Sequence, residues 1–294
     1  ERKRENKRFL PGVKLPPGLK VTASMTTALH RAEVVVLAVP SKFLRNILVI
    51  MKKTGVPSKA VIVSVIKGLD IITLKRMSET IKGTLQTGNR IAVLSGPSHA
   101  EEVGKKVPTA VVIASGAIKT SEILQKVFSS EYFRVYASSD VTGVEIGGAV
   151  KNVIALAKGV LDGLELGDNT VAALMTRGLA EIKRLALKLG ARQETLNGLS
   201  GTGDLIVTCM SRHSRNRAVG ERLGKGEKLE KILSSMNMVA EGVTTTKACY
   251  RLAKRIKVEM PIVNEMYEIL FKGKDPKNAV AKLMGRKLKR EAGI

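Results

Sequence analysis

Length, composition and charge narrow the class of this protein. Its 294 residues, 44% of them hydrophobic, are enough to bury a substantial core and to form two domains. No apolar run approaches the roughly 20 residues that a membrane span needs. The formal net charge of +24 favours anionic partners, but only 3% of the residues are aromatic and no nucleic-acid-binding motif is found. We therefore expect small anionic metabolites as ligands and no nucleic acid.

The start of the chain and its few cysteines and histidines bear on compartment and metal binding. Residues 1–8 are strongly basic and lack the apolar core of a secretory signal. Cys209 and Cys249 form no close pair, which suits a reducing compartment, and neither is expected to be a nucleophile. The histidines show no metal-ligand spacing, so we expect no bound metal. Cytoplasm is the expected compartment, and a plastid is the alternative, since a transit peptide would have lain upstream.

The first half of the chain alternates between strand and helix patterns. Residues 34–39 are a continuous β-rich run ended by Pro40-Ser41, which is typical of a strand buried on both faces of a parallel sheet. Further strands are predicted at residues 60–65, 90–94, 109–114 and 133–136, and helices at 26–30, 42–53, 73–85 and 119–129. This alternation predicts an α/β fold with a doubly wound, Rossmann-type sheet.

Small and polar residues follow several of the predicted strands. Pro40-Ser41, Lys67-Gly68 and Gly96-Pro97-Ser98 all lie at carboxyl ends, where doubly wound sheets hold their ligands. The stretch from Ser98 to Glu101 also fits a capping box, which predicts that Ser98 caps a helix there.

After Asp140 the pattern is helical only. Long helices are predicted at residues 143–159, 169–190, 214–223, 244–257 and 261–271. We place the domain boundary near residues 138–140. The expected domains are therefore an N-terminally incomplete Rossmann-type dinucleotide-binding domain, 1–139, and an all-helical substrate-binding domain, 140–294.

The stretch from Gly198 to Arg217 has the composition of an anion site. Three glycines within residues 198–203 would let the backbone approach a ligand, and Asp204 follows them. Arg215-Asn216-Arg217 opens a predicted helix, where forked side-chain donors lie beside free backbone N–H groups. A phosphate is the expected ligand. Gly-rich turns and surface arginines are also common without any ligand, and that interpretation stays open.

The Gly-rich fingerprint of a dinucleotide-binding sheet is not found in this sequence. Such a sheet normally opens with a strand, a G-x-G-x-x-G turn, a helix and a second strand. Residues 201–206 lack the last glycine and follow no strand. Either a βαβ unit of roughly 30 residues or more lay before Glu1, or the chain lacks it.

Short motifs in a fixed order cover nearly the whole chain. They are Asn6–Gly12 with Lys14-Leu15-Pro16, Ala38–Ser41, Lys67-Gly68, Leu94–Ser98, Phe133–Tyr136, Gly143–Asn152, Thr176–Glu181, Gly203–Leu205, Ser214–Arg217, Glu241-Gly242 and Glu259–Ile262. In these motifs the chain resembles the NAD(P)-dependent glycerol-3-phosphate dehydrogenases of bacteria and plastids. The resemblance implies a Rossmann-type cofactor domain and a helical substrate domain, a homodimer, and reduction of dihydroxyacetone phosphate with NADH or NADPH for phospholipid synthesis.

The resemblance also implies roles for single residues. Lys151 is similar to the family's proton-transfer lysine, and we pair it with Asp204 as catalytic. The substrate positions are Lys67, Gly96, Ser98, Lys151, Asp204, Ser214, Arg215 and Asn216. The cofactor positions are Lys67, Ala100, Arg215, Val239 and Glu241, to which we add Pro40. By their chemistry, Asn152 and Thr208 are expected to bind substrate oxygens. The sequence departs from the family pattern at Ile66, Met238 and Ala240.

The chemistry of ketone reduction explains why a lysine suits this site. Hydride addition to the carbonyl carbon needs a proton donor at the oxygen, and Lys151 could supply the proton. Burial would lower its pKa and pairing with Asp204 would raise it, so the net direction stays open. Each residue also has a structural alternative: Lys151 or Arg215 could be a solvated charge, and Asp204 could cap the helix at Leu205.

Four functions are compatible with these observations. The leading hypothesis is glycerol-3-phosphate dehydrogenase. The others are a truncated, non-catalytic protein that binds a phosphometabolite or dimerises, another two-domain reductase, and a basic nucleic-acid binder. The preference for NADH or NADPH is left open, because the residues that decide it follow the second strand of the fingerprint unit.

Overall fold

The computed structural model describes residues 4–236, 239–288 and 290–291. Residues 1–3, 237, 238, 289 and 292–294 lie outside the described residues. They include the first part of the basic opening and Met238, one of the departures from the family pattern.

Five strands form one mixed sheet. They are β1 (Val34–Leu37), β2 (Val61–Ser64), β3 (Ile91–Ser95), β4 (Thr109–Ser115) and β5 (Phe133–Ser138), in the spatial order of the chain. The five predicted strands are confirmed. β1 to β3 are parallel, whereas β4 runs antiparallel to β3 and β5 parallel to β4. β4 departs from an all-parallel arrangement, because residues 96–108 start β4 at the same end of the sheet where β3 stops, without the crossover that a parallel neighbour would need.

Fourteen α-helices are found in the described residues. In the sheet half they are α1 (Met25–Leu29), α2 (Leu44–Thr54), α3 (Met77–Leu85), α4 (Ala100–Gly104) and α5 (Ile118–Phe128). In the helical half they are α6 (Val141–Gly163), α7 (Asp168–Lys188), α8 (Gln193–Asn197), α9 (Asp204–Met210), α10 (Arg215–Gly224), α11 (Leu229–Ser234), α12 (Glu241–Arg255), α13 (Pro261–Lys272) and α14 (Pro276–Met284). Within the described ranges, every helix lacks either the length or the apolar content to cross a lipid bilayer.

Two helix starts differ from the prediction for local reasons. α3 begins at Met77 rather than at residue 73, because the Asp70 carboxylate accepts the backbone N–H groups of Ile72 and Thr73 and holds a turn there. The capping box predicted at Ser98 is wrong. The Ser98 hydroxyl donates instead to the Gly96 carbonyl, 2.9 Å away, and α4 begins only at Ala100.

Helix α6 belongs to both halves of the molecule. Near its start Val144 packs against Val93 of β3 and Ala114 of β4. Farther along, its residues form the centre of the helical core. Because α6 spans both layers, the residues in its middle lie where the carboxyl ends of the parallel strands meet the helical half.

Glycines let α10 approach α6 very closely. A Cβ atom at Gly220 would lie 2.0 Å from the Leu156 carbonyl oxygen, and one at Gly159 would lie 2.0 Å from that of Arg217. Only glycine fits at such distances. The approach brings the N-terminus of α10 beside the middle of α6, so residues far apart in sequence meet there.

Candidate active site

Asp204 lies at the centre of a buried ion cluster. The residue is fully buried at the start of α9, and its Oδ1 accepts a hydrogen bond from Lys151 Nζ on α6. Its Oδ2 accepts one from Lys67 Nζ at 2.8 Å. Lys151 Nζ also donates to Thr208 Oγ1 at 2.6 Å, one helical turn after Asp204. The predicted pairing of Asp204 with Lys151 fits this arrangement, whereas the Asp204 side chain forms no capping bond to the backbone.

The Gly-rich turn before Asp204 packs against protein backbone. Residues Leu199–Gly203 form one turn of π-helix, and a Cβ atom at Gly201 would lie 2.1 Å from the Leu196 carbonyl oxygen. The expectation that these glycines let the backbone approach a ligand is therefore not met at Gly201. The turn's contribution is to carry the chain into α9 so that Asp204 points at α6.

Burial controls the ionisation of Lys151. Loss of solvation, with the neighbouring Lys67 ammonium, lowers the pKa of Lys151 to about 7, although the Asp204 carboxylate opposes this shift. Burial alone would raise the pKa of Asp204, but the two ammonium groups lower it below its ordinary value. The question left open by the sequence is thus decided in favour of burial. The site therefore pairs the Asp204 carboxylate with an amine whose pKa lies near neutrality.

Lys67 joins the cluster to the loop after β3. Its Nζ donates to Asp204 and also to the Gly96 carbonyl oxygen, 2.7 Å away. The same carbonyl oxygen accepts a hydrogen bond from the Ser98 hydroxyl. Ser95, the last residue of β3, is buried, and its hydroxyl lies 3.4 Å from Asp204 Oδ2. A Cβ atom at Gly148 of α6 would lie 2.3 Å from that hydroxyl, so a glycine there keeps room for Ser95.

Side-chain amides connect α6, α10 and α12. Asn152 Oδ1 accepts from Asn216 Nδ2 at 2.9 Å, and Asn152 Nδ2 donates to the Lys67 carbonyl oxygen at 3.3 Å. Asn216 Oδ1 in turn accepts the Gly242 N–H at 2.9 Å. Both amides are buried. The network holds the first turn of α10 against the lysine cluster.

The three positions that open α10 have different environments. Ser214 is buried and its hydroxyl caps the helix by accepting the Arg217 N–H. The Arg215 side chain is exposed and donates to the Val239 carbonyl oxygen at 3.0 Å. Arg217 instead donates to Asp162 on α6 at 2.6 Å. The Arg-Asn-Arg run therefore does not act as one anion cradle, since Arg217 is committed to a structural ion pair.

The remaining predicted cofactor positions lie along the junction of the two halves. Both carboxylate oxygens of Glu241, at the start of α12, accept hydrogen bonds from Ser41, which directly follows Pro40. A Cβ atom at Gly68 would lie 3.0 Å from the Ser41 Cβ and 3.3 Å from Glu241 Oε2. Ala100 is the first residue of α4, beyond the Gly96 loop. These contacts connect the carboxyl ends of β1 and β2 to α12.

The two cysteines lie in the core and outside this chemistry. Cys209 and Cys249 are free and fully buried, and burial raises the pKa of each thiol to about 12. Both thiols therefore stay protonated at neutral pH, which agrees with the interpretation that neither is a nucleophile.

Comparison with known proteins identifies the family. The model of the NAD-dependent glycerol-3-phosphate dehydrogenase N-terminus matches residues 1–121, and that of its C-terminus matches residues 140–281. The chain belongs to this family. It is 49% identical to a glycerol-3-phosphate dehydrogenase [NAD(P)+] of Chlorobium phaeobacteroides, over 100% of this chain and 88% of that protein. The glycerol-3-phosphate dehydrogenase structure from Coxiella burnetii superposes with a TM-score of 0.93 at 37% identity, covering 97% of this chain and 87% of that one.

These matches confirm the resemblance seen in the sequence motifs. They also confirm the fold class, a Rossmann-type sheet followed by a helical part. A relative from Thermoanaerobacter sp. with the same name is 51% identical over 98% of this chain and 86% of its own length. Among the hypotheses, the comparisons support a glycerol-3-phosphate dehydrogenase over the truncated, non-catalytic protein.

Two residues beside the site of this family member were missed by sequence reasoning about function. Ser95 has no predicted role of its own, because its contact with Asp204 depends on how α9 packs on β3. His99 carries no predicted role, and its Nε2 is shielded from solvent in the loop that joins β3 to α4. The only available signal was its place between Ser98 and Ala100, both of which carried a predicted role.

Proposed function

We propose that this protein is an oxidoreductase that interconverts dihydroxyacetone phosphate and sn-glycerol 3-phosphate by hydride transfer with NAD(P)H. The observation that carries the proposal is the buried Lys151, whose pKa of about 7 and contact with Asp204 suit proton exchange at a substrate oxygen. The names of the close relatives support the substrate.

Lys151 transfers the proton. In the direction of reduction, its ammonium stabilises the developing alkoxide and donates a proton to it, and in the direction of oxidation the neutral amine removes the hydroxyl proton. Asp204 and Thr208 hold Nζ in place through their two hydrogen bonds. Asp204 keeps a negative charge beside the ammonium, so the buried site does not accumulate two uncompensated cations.

The substrate lies between the lysine cluster and the start of α10. Arg215 offers two parallel hydrogen bonds to a phosphate, with Asn216 and Ser214 beside it. Lys67, Gly96 and Ser98 border the substrate from the sheet side, and Asn152 and Thr208 contact its oxygens. Since Arg215 is exposed and Asn216 is buried, the phosphate would bind where the surface meets the amide network.

The residues present fit the nicotinamide end of the cofactor. Lys67, Arg215, Val239 and Glu241 would hold it. Glu241 is bonded to Ser41 beyond the carboxyl end of β1, and Arg215 is bonded to Val239, two residues before Glu241. Bound NADH or NADPH supplies the hydride. Pro40 and Ala100 complete this set. The sequence contains no G-x-G-x-x-G turn, so no residue is assigned to the pyrophosphate.

The wider assignments follow from the same hypothesis. The chain would divide into a cofactor domain, 1–139, and a substrate domain, 140–294. We place the protein in the cytoplasm, as a homodimer that supplies glycerol 3-phosphate for glycerophospholipid synthesis.

The test is a direct assay of the reaction. The absorbance of the reduced nicotinamide is followed with this chain and dihydroxyacetone phosphate, and in parallel with dihydroxyacetone, which lacks the phosphate. We expect oxidation of the cofactor with the phosphorylated ketone and far slower turnover without the phosphate. Equal rates with both ketones would contradict the assigned substrate class, and no turnover together with binding of glycerol 3-phosphate would favour the non-catalytic alternative.

A further inference from the structure

His99 has a buried atom with no partner in this site. It lies in the loop between β3 and α4, directly after Ser98 and before Ala100. Its Nε2 is shielded from solvent and has no hydrogen-bond partner among the described residues. A buried ring nitrogen without a partner is energetically costly, so such an atom at a ligand site is expected to gain a partner when the ligand binds.

His99 is next in the chain to residues of the proposed site. It directly follows Ser98, whose hydroxyl donates to the Gly96 carbonyl oxygen that also accepts Lys67 Nζ. The cations of Lys151 and Lys67 and the carboxylate of Asp204 all act electrostatically on the imidazole. On its other side is His213, whose ring centroid is 6.2 Å away and which directly precedes Ser214 of the α10 cap. The loop that carries His99 therefore contacts the lysine cluster through Gly96, and the His99 ring lies near the residue that precedes the α10 cap.

The surroundings of His99 favour the neutral form of its imidazole. Burial and the nearby Lys151 ammonium lower the pKa of His99, although Glu101 and Asp204 oppose this. A neutral imidazole carries one N–H donor and one acceptor nitrogen. It can form a directed hydrogen bond without adding a further cation beside Lys151 and Lys67.

We propose that His99 is a substrate-contacting residue whose Nε2 forms a hydrogen bond with an oxygen at the hydroxyl or carbonyl end of the three-carbon substrate. The lysine cluster surrounds that end, whereas Arg215 is assigned to the phosphate. The inference rests on the proposed function and adds a specificity-determining residue to it. Replacing the ring nitrogen should weaken binding of the polyol part without changing the affinity for phosphate itself.

The test measures binding without turnover. Calorimetric titrations with glycerol 3-phosphate, and separately with inorganic phosphate, are made on the full chain and on His99→Phe and His99→Gln. Phenylalanine keeps a planar ring without nitrogen, and the glutamine amide can restore a polar group near Nε2. His30→Phe is the matched control, since His30 is exposed at the end of α1.

The expected result is a selective loss. His99→Phe should bind glycerol 3-phosphate about tenfold more weakly, the effect of one hydrogen bond, and His99→Gln less than about threefold more weakly. Inorganic phosphate should bind all variants equally, and His30→Phe should behave as the unmodified chain. If His99→Phe does not fold, His99→Leu takes its place under the same criteria.

Three outcomes would overturn the inference. Unchanged affinity of His99→Phe for glycerol 3-phosphate would remove the contact. An equal loss for inorganic phosphate would assign His99 to the phosphate instead of the hydroxyl end. If the unmodified chain binds no glycerol 3-phosphate, the proposed substrate fails and the inference fails with it, which separates that failure from the first two.

Discussion

The Asp204 cluster and the Arg215 edge are two parts of one proposed site with opposite physical character. Asp204, Lys151 and Thr208 are buried and bonded to one another. Arg215 is exposed, and its guanidinium is bonded to a backbone carbonyl, that of Val239. In the buried region the polar groups are hydrogen-bonded to one another. In the exposed region the Arg215 guanidinium has further N–H donors that a ligand could use.

This difference assigns proton transfer to the buried region and phosphate binding to the exposed region. A dry cluster lowers the pKa of Lys151 to about 7 because water is excluded, and a lysine at the surface would not be shifted in this way. An exposed guanidinium remains charged and accessible, which suits the binding of a phosphate from solution. Changes in the two regions should therefore alter different kinetic constants.

Removal of the Lys151 amine should have the largest effect. Lys151→Ala is expected to lower kcat for ketone reduction about 1,000-fold, because proton transfer to the alkoxide is lost. Steady-state assays with reduced nicotinamide and dihydroxyacetone phosphate measure it. Lys158→Ala is the matched control, a buried lysine two turns along α6 that pairs with Asp162. A loss in kcat below tenfold for Lys151→Ala would contradict its role.

Removal of the Arg215 guanidinium should instead weaken substrate binding. Arg215→Ala is expected to raise KM for dihydroxyacetone phosphate about thirtyfold, which corresponds to about 2 kcal/mol for a charged hydrogen bond. Arg217→Ala, on the same helix but paired with Asp162, should leave KM unchanged. If both variants change KM alike, the distinction drawn between the two arginines is wrong.

Neutralising Asp204 should shift the pH dependence of kcat for ketone reduction. Reduction needs protonated Lys151, so its rate should fall as pH rises through about 7. In Asp204→Asn, burial and Lys67 still lower the pKa of Lys151 while the opposing carboxylate is gone, so the midpoint should move to lower pH. Profiles of kcat against pH measure this shift, with Asp162→Asn as the control. A midpoint that stays in place or moves to higher pH would contradict the assignment.

Replacement of Glu181, a buried carboxyl outside the site, should have the smallest effect, a change in how the free energy of unfolding depends on pH. Glu181 accepts the N–H groups of Ile262 and Val263, and burial raises its pKa to about 7. The folded state therefore keeps a proton that the unfolded chain loses at lower pH, so this group makes stability fall as pH rises toward about 7. Glu181→Gln should flatten that slope by at most about 1.4 kcal/mol per pH unit, the limit for one proton.

Urea unfolding over a series of pH values measures this slope. The same change at exposed Glu122 of α5 should leave it as in the unmodified chain. A slope that is equal in Glu181→Gln and in the unmodified chain would show that Glu181 ionises normally in the folded protein.

Much of the fold could be predicted from local patterns. The continuous β-branched runs at β1 and β2 and the apolar periodicity of α7 decide those elements by themselves. Short elements such as α8 and α11 were missed, since one or two turns carry little periodic signal. The capping box at Ser98 failed because its hydroxyl found the Gly96 carbonyl, a competing local bond.

The residues of the site could be predicted, but the partners of their side chains could not. The resemblance pointed to Lys151, Asp204 and Arg215, and the folded chain brings all three to one junction. Their partners were not predictable, because a guanidinium at 215 and one at 217 look alike in sequence. Only the close packing of α10 on α6 directs Arg217 to Asp162 and leaves Arg215 at the surface.

The sequence by itself determined the family, the five strands, the long helices and the residue types needed for proton transfer and phosphate binding. The tertiary structure decided the sheet direction at β4, the partners of each charge and the ionisation of Lys151. The physical reason is that pattern and motif are local, whereas desolvation depends on what packs around a group. Lys151 and Asp204 become a proton-exchanging pair only because α6, α9 and β3 together exclude water from them.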